Sequence, residues 1–199
     1  MRQKAALRFD EQQDDTLHGI AEAPDAAAQA GELLNRQEVD ALTHARLWKN
    51  PCGFAARFNY LALRYNVPLY GWVKVRFDLS RVEFVVIYNL SIAGPFTASE
   101  IASSTAFPKN TMSRAVNRLI KLGLIRRQES GDDRRAQILS LAPAGKAIFD
   151  ETLPRFAGLE QEMLAPLNLV EREMLSMLLA KVVGAMFQAH SEADDADIP

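Results

Sequence analysis

The chain has 199 residues, 48% hydrophobic and 24% charged, enough for one sizeable core or two small ones and ordinary for a soluble globular protein. Its one cysteine, Cys52, excludes an internal disulfide, and the three histidines (His18, His44, His190) form no metal-ligand pairs. The net charge of −2 conceals an asymmetry: residues 1–50 carry six Lys/Arg against nine Asp/Glu and residues 191–199 four acids and no base, while residues 51–190 carry 17 bases against 12 acids.

The N-terminal region is charged (Arg2, Lys4, Arg8, Asp10, Glu11) and has no apolar h-region, so no secretory signal is expected. Apolar runs such as Phe84–Leu90 and Val182–Phe187 are too short to span a bilayer. The expectation is a cytoplasmic protein with no membrane partner.

Residues 1–30, rich in Ala, Gln and Asp, read as a disordered or weakly ordered tail. Over 31–49, Leu33, Leu34, Val39, Leu42 and Leu47 suit an amphipathic segment that docks on the main body. Asn50-Pro51 breaks it and starts a helix to about Asn66 with Phe54, Phe58, Leu61, Ala62 and Tyr65 on one face. Pro68 is expected to interrupt that helix, with a second piece reaching about Arg76.

Ser80-Arg81-Val82-Glu83 is a capping box that opens a helix to about Ala93, closed by Gly94-Pro95. Thr97-Ala98-Ser99-Glu100 is another, opening a short helix to about Ser104 with Ile101 and Ala102 turned inward. A turn through Phe107 leads into the next helix, with Pro108 near its first position.

That helix, PKNTMSRAVNRLIK, carries two stripes. Met112, Val116, Leu119 and Ile120 form an apolar face at helical spacing. Asn110, Ser113, Arg114, Asn117, Arg118 and Lys121 occupy the other side, and these are donors suited to phosphate oxygens and base edges. Alone, such a face reads more readily as an ordinary solvated surface.

The next twenty residues change the balance. Gly123 suits a left-handed helix end, and Leu124–Arg127 and Arg134–Leu141, separated by the polar tip Glu129–Asp133, form a β-hairpin pattern. Eight bases (Lys109, Arg114, Arg118, Lys121, Arg126, Arg127, Arg134, Arg135) stand against Glu129, Asp132 and Asp133 across helix and hairpin. Two helices joined by a short turn, the second basic and succeeded by a basic hairpin, make a winged helix-turn-helix suited to double-stranded DNA.

After the hairpin, Ala142-Pro143-Ala144-Gly145 opens a helix to about Met163, which Pro154 is expected to kink. The last helix begins near Asn168, with Leu175, Leu178, Leu179, Val182, Val183, Met186 and Phe187 in helical period. The flanking helices carry more apolar face than a winged helix can cover. Packing against a second copy, a homodimer, is the economical outcome.

The stretch LSRVEFVVIYNLSIAGPFTASEIASSTAFPKNTMSRAVNRLIKLGLIRRQESGDDRRAQILSLAPAGKAIF, Leu79 to Phe149, resembles the central region of the multiple antibiotic resistance regulator (MarR) family of winged-helix transcription factors. GDDRRAQILSLAPAG is its most specific element, and the likeness extends over about residues 50–190. It implies a homodimeric regulator, a repressor in the simplest case, whose recognition helices enter successive major grooves of a pseudo-palindromic site. By matching position, Asn110, Thr111, Ser113, Arg114, Asn117 and Arg118 would face DNA, Arg134 and Arg135 would be wing contacts, and Asp132 or Asp133 would orient those arginines. The chain departs from the family at Phe107-Pro108, where a Leu and a polar cap residue are usual.

The resemblance also implies release of DNA by a small aromatic or phenolic ligand. The helix that would line its pocket carries Tyr60, Arg64, Tyr65, Tyr70, Trp72 and Arg76; Arg64 and Arg76 suit an aryl carboxylate, or else solvent or acids of a partner subunit. One branch of the family senses peroxides through a single cysteine on its first helix, a role Cys52 could fill, although Gly53-Phe54-Ala55-Ala56 departs from that branch's pattern. Use of the winged helix only as a protein-interaction module is a further alternative. No catalytic triad, carboxylate pair or phosphate-binding Gly loop is present, and no enzyme activity or cofactor is expected.

The expected architecture is mainly α with a small β-wing: a tail at 1–30, N-terminal dimerisation helices at 31–76, a winged helix-turn-helix DNA-binding domain at 77–142, C-terminal dimerisation helices at 143–190, and an acidic tail at 191–199.

Overall fold

The computed structural model describes residues 39–129 and 137–196, and side chains over 39–128 and 137–188. The tail expected at 1–30 and the hairpin tip from Ser130 to Arg135 lie outside the described residues. The chain divides into two units, Met1–Ala62 and Leu63–Pro199.

In the first unit, α1 (Ala41–Trp48) starts at Asp40, whose carboxylate accepts the Thr43 N–H at 2.9 Å. Leu47 is its buried residue, and the Arg57 guanidinium lies over the Phe54 and Trp48 rings at 4.3 and 5.3 Å. Asn50 Oδ1 accepts the Cys52 N–H at 2.9 Å, making a side-chain turn. The Cys52 carbonyl then accepts the Ala56 N–H, so Pro51 and Cys52 form a turn and α2 (Gly53–Phe77) begins at Gly53.

The interruption expected at Pro68 does not occur: α2 continues through it to Phe77. A proline ring removes one bond to the carbonyl four residues back and crowds it. Leu69 and Val73, both buried, anchor the turns beyond it, and Tyr65 just before it donates to the Phe156 carbonyl at 3.2 Å. Tertiary packing outweighs the local penalty.

The second unit builds its core from α3 (Arg81–Ala93), α4 (Ala98–Thr105), α5 (Lys109–Lys121) and a three-stranded antiparallel sheet. The sheet contains β1 (Phe96–Thr97), β2 (Ile125–Glu129) and β3 (Gln137–Leu141), in the order β1-β3-β2. Ile125 pairs with Leu141 and Glu129 with Gln137, while Phe96 pairs with Leu139 and Thr97 with Ile138. Both expected capping boxes are formed, Ser80 with Glu83 and Thr97 with Glu100. Thr97 is at once the last residue of β1 and the cap of α4. The strand β1 has no signal in the sequence, since two residues are too few to show a period.

Phe84, Ile87, Ile101, Met112, Leu119 and Leu139 are wholly or almost wholly buried. Phe84 meets the rings of Tyr70, Tyr88 and Phe156 at centroid distances of 5.3–6.2 Å. Burial holds the Tyr65 hydroxyl protonated, with its pKa raised to about 12.

Next, α6 (Pro143–Leu164) starts with Pro143 in its first turn and continues through Pro154. Gly145 lies against the root of β2: a Cβ there would stand 2.2 Å from the Leu124 carbonyl oxygen, which also accepts the Ala142 N–H at 3.0 Å. Finally, α7 (Leu169–Ala196) is opened by reciprocal bonds between Asn168 and Glu171 and extends past the boundary expected at His190. Along it Met174, Met177, Leu178, Val182, Val183, Met186 and Phe187 are exposed. Among the described residues no helix is long and apolar enough to cross a membrane.

Candidate nucleic-acid interface

The site is the outer side of α5 and the hairpin beside it. The helix starts one residue later than expected: Pro108 is its N-cap, and its carbonyl accepts the Thr111 and Met112 N–H groups at 3.0 Å. Ala106, at φ 55°, makes the left-handed turn out of α4. At the far end Leu122 caps the helix and Gly123 takes φ 68°. The Gly123 N–H reaches Ile120 O and the Leu124 N–H reaches Leu119 O, the paired bonds of a Schellman stop.

Between these ends the two stripes separate as the spacing requires. Met112, Ala115, Val116 and Leu119 are buried, and Ile120 is half-buried. Asn110, Ser113, Arg114, Asn117 and Lys121 are exposed, with Thr111 half-buried at the margin. Arg126 and Arg127 are exposed on β2, and the Arg127 guanidinium donates to Asn117 Oδ1 at 3.1 Å. Because arginine only donates, that contact fixes which way the Asn117 amide faces and leaves its NH2 group outward.

Arg118, also expected to face DNA, is half-buried. Its guanidinium turns back onto the chain, donating to Glu83 Oε2 at 2.6 Å, to Asp78 Oδ2 at 2.9 Å and to the Asp78 carbonyl at 3.1 Å. Sequence spacing puts Arg118 on the polar side of α5; it cannot show that two acids near the head of α3 stand within reach of that side.

Glu83, only 6% exposed, takes the Ser80 N–H on the same oxygen at 2.7 Å. Burial pushes the Glu83 carboxyl up, but the bonds from Ser80 and Arg118 outweigh it and the net shift is downward. Asp78 is held low by Lys74, with which it is ion-paired, and then by Arg118. Glu83, followed by Asp78, raises Arg118 further above its ordinary range.

The residues expected to line a ligand pocket are engaged within the chain. Arg76 Nε donates to Glu151 at 2.8 Å, within the same subunit. The Arg155 guanidinium lies 5.1 Å from the Trp72 ring, which also meets Phe77 edge-on at 5.6 Å. Arg64 is exposed, and Tyr60, in the first unit, is half-buried. Cys52 is exposed just before α2. Among the described residues no cluster of His, Cys, Asp and Glu could hold a metal ion.

Comparison with known proteins bears on this geometry directly. Residues 77–136, from the end of α2 into the hairpin, match the sequence profile of the MarR family. The chain is 29% identical over 157 residues to the uncharacterized HTH-type transcriptional regulator YwaE of Bacillus subtilis, covering 76% of this chain and 92% of that one. It is 29% identical over 106 residues to the HTH-type transcriptional repressor NicR of Pseudomonas putida, covering 53% and 67%. Among solved structures, a MarR-family transcriptional regulator from Silicibacter pomeroyi superposes with a TM-score of 0.62 at 25% identity, over 67% of this chain and 90% of that one. A mutant MarR of E. coli complexed with operator DNA shares the fold, with a TM-score of 0.55 at 22% identity over 66% and 94%.

Proposed function

We propose that the chain is a DNA-binding transcriptional regulator of the MarR family, working as a homodimer that sets its two α5 helices into successive major grooves of a pseudo-palindromic site. One observation carries this reading: Asn110, Ser113, Arg114 and Asn117 are exposed on the side of α5 opposite the buried Met112, Val116 and Leu119. A helix so anchored presents its donors without needing to rearrange. Arg114 is the strongest candidate for a bidentate contact with a guanine edge. Thr111 would lie at the groove margin, and Arg134 and Arg135, outside the described residues, are assigned as wing contacts to phosphates or the adjacent minor groove by the family resemblance alone.

The exposed apolar run of α7, from Met174 to Phe187, supports the homodimer, since a stripe so wide is stable in water only when covered. Repression fits the simplest use of such a dimer, and NicR is a repressor. Release by a small aromatic ligand rests on the aromatic and basic groups of α2, Trp72 and Arg76 above all; a ligand carboxylate there would compete with Glu151 for Arg76.

Selection of bound sequences from a random duplex pool tests the reading. The expected product is an inverted repeat with half-sites about one helical turn apart. Arg114→Ala should weaken binding to it by about 1–3 kcal/mol and relax the preference at one position per half-site. Recovery of no enriched sequence, or an Arg114→Ala protein that binds as the parent does, would overturn the assignment.

A further inference from the structure

We infer that Arg118 is a positioning residue, a latch that sets the rotation of the DNA-facing helix rather than a contact to DNA. The inference rests on the reading of α5 as that helix. Four hydrogen bonds leave one guanidinium for two residues 35 and 40 positions earlier in the chain. Each accepting group is itself held. Glu83 Oε2 is fixed by the Ser80 N–H of its own capping box. Asp78 takes a left-handed φ of 55°, uncommon for a residue with a side chain, between its ion pair to Lys74 and its own N–H bond to the Lys74 carbonyl.

The apolar face of α5 cannot do this work alone. Burial of Met112, Val116 and Leu119 holds the helix against the core, but hydrophobic contact is non-directional and tolerates small rotations and slides. A planar fork bonded to a buried carboxylate and a backbone carbonyl does not. Arg114 precedes Arg118 by four residues and Asn110 precedes Arg114 by four, so all three share one side of the helix. Whatever fixes the angle at Arg118 fixes the angle at which the other two are presented. The latch also joins the last turn of α2, through Lys74 and Asp78, to the head of α3 and to α5.

The test uses the full chain with Arg118→Lys, Arg118→Ala and Glu83→Gln, each checked for a retained cooperative melt. The first arm needs no DNA. Amide hydrogen exchange across Lys109–Lys121 and Asp78–Ser80 should quicken in all three variants, since lysine keeps the charge but cannot span both acceptors. Unchanged exchange in both Arg118 variants would overturn the latch.

The second arm measures salt-dependent binding to the tightest duplex recovered from the random pool. Expected is a roughly 10- to 100-fold loss of affinity in all three variants, the scale of losing hydrogen bonds to charged groups, with the log–log salt slope unchanged. A slope reduced by about 0.9 in Arg118→Ala and restored in Arg118→Lys marks a direct phosphate contact and overturns the proposal. If the pool yields no bound duplex, the DNA reading of α5 fails while the exchange arm still decides whether Arg118 positions the helix.

Discussion

Two helices of this chain follow the same hydrophobic rule and end differently. Along α5, the apolar residues at helical spacing are buried in a core that the unit closes by itself; along α7, residues in the same period stand exposed from Met174 to Phe187. Periodicity therefore states that a face must be covered without stating by what. For α5 the cover is the side chains of α3, α4 and the sheet. For α7 the proposed cover is a second copy of the chain. Polar residues mark the contrast too, because the outer side of α5 concentrates donors while α7 has apolar side chains around much of its circumference.

Substitutions can break or sharpen that contrast. The largest effect is expected in the closed core: Phe84→Ala removes a ring in contact with three others and should lower unfolding free energy by about 3–5 kcal/mol, read from urea denaturation. Next is Gly145→Ala. Its Cβ would collide with the Leu124 carbonyl, and separating α6 from the wing root should cost about 1–3 kcal/mol in the same assay.

A smaller effect comes from acid. Asp78 and Glu83 have folded pKa values below their ordinary 3.8 and 4.5. Their contribution is therefore full above those values and is lost as pH falls through them toward the folded pKa values. The melting temperature of the parent should drop over that acidic window more than that of Glu83→Gln, and parallel curves would contradict the assignment. Least affected in the closed core of a single copy should be Leu178→Glu, since no described residue of its own chain covers that site. Its mass by sedimentation equilibrium, however, should move from dimer to monomer. A Leu178→Glu protein that still sediments as the parent does would remove α7 from the dimer interface.

Much of the fold is legible in the sequence. The capping boxes at Ser80 and Thr97, the Gly123 stop and the two stripes of α5 are local statements, in which residues a few positions apart satisfy one another. Such features survive folding because the chain carries both partners in one segment. Pro68 misleads for the opposite reason: its penalty is local, whereas the packing of Leu69 and Val73 that outweighs it is not. Arg118 shows the same limit at the site. Its side of the helix is legible, but Asp78 and Glu83 lie 40 and 35 residues away and no period links them. The pairing of Arg76 with Glu151, 75 residues apart, is invisible on the same ground.

At Thr97 the sheet stops and the helix-turn-helix starts within one residue, so the joint contains no slack. A single amino acid inserted between Phe96 and Thr97 would have to slip the pairing with Ile138 or swing α4 by about 100° around its axis. Either outcome carries Ile101 away from the core and takes the turn after α4 with it. Chain length is thus a fixed quantity of the mechanism at this point, and deletions or insertions there should be far more damaging than most changes of side chain.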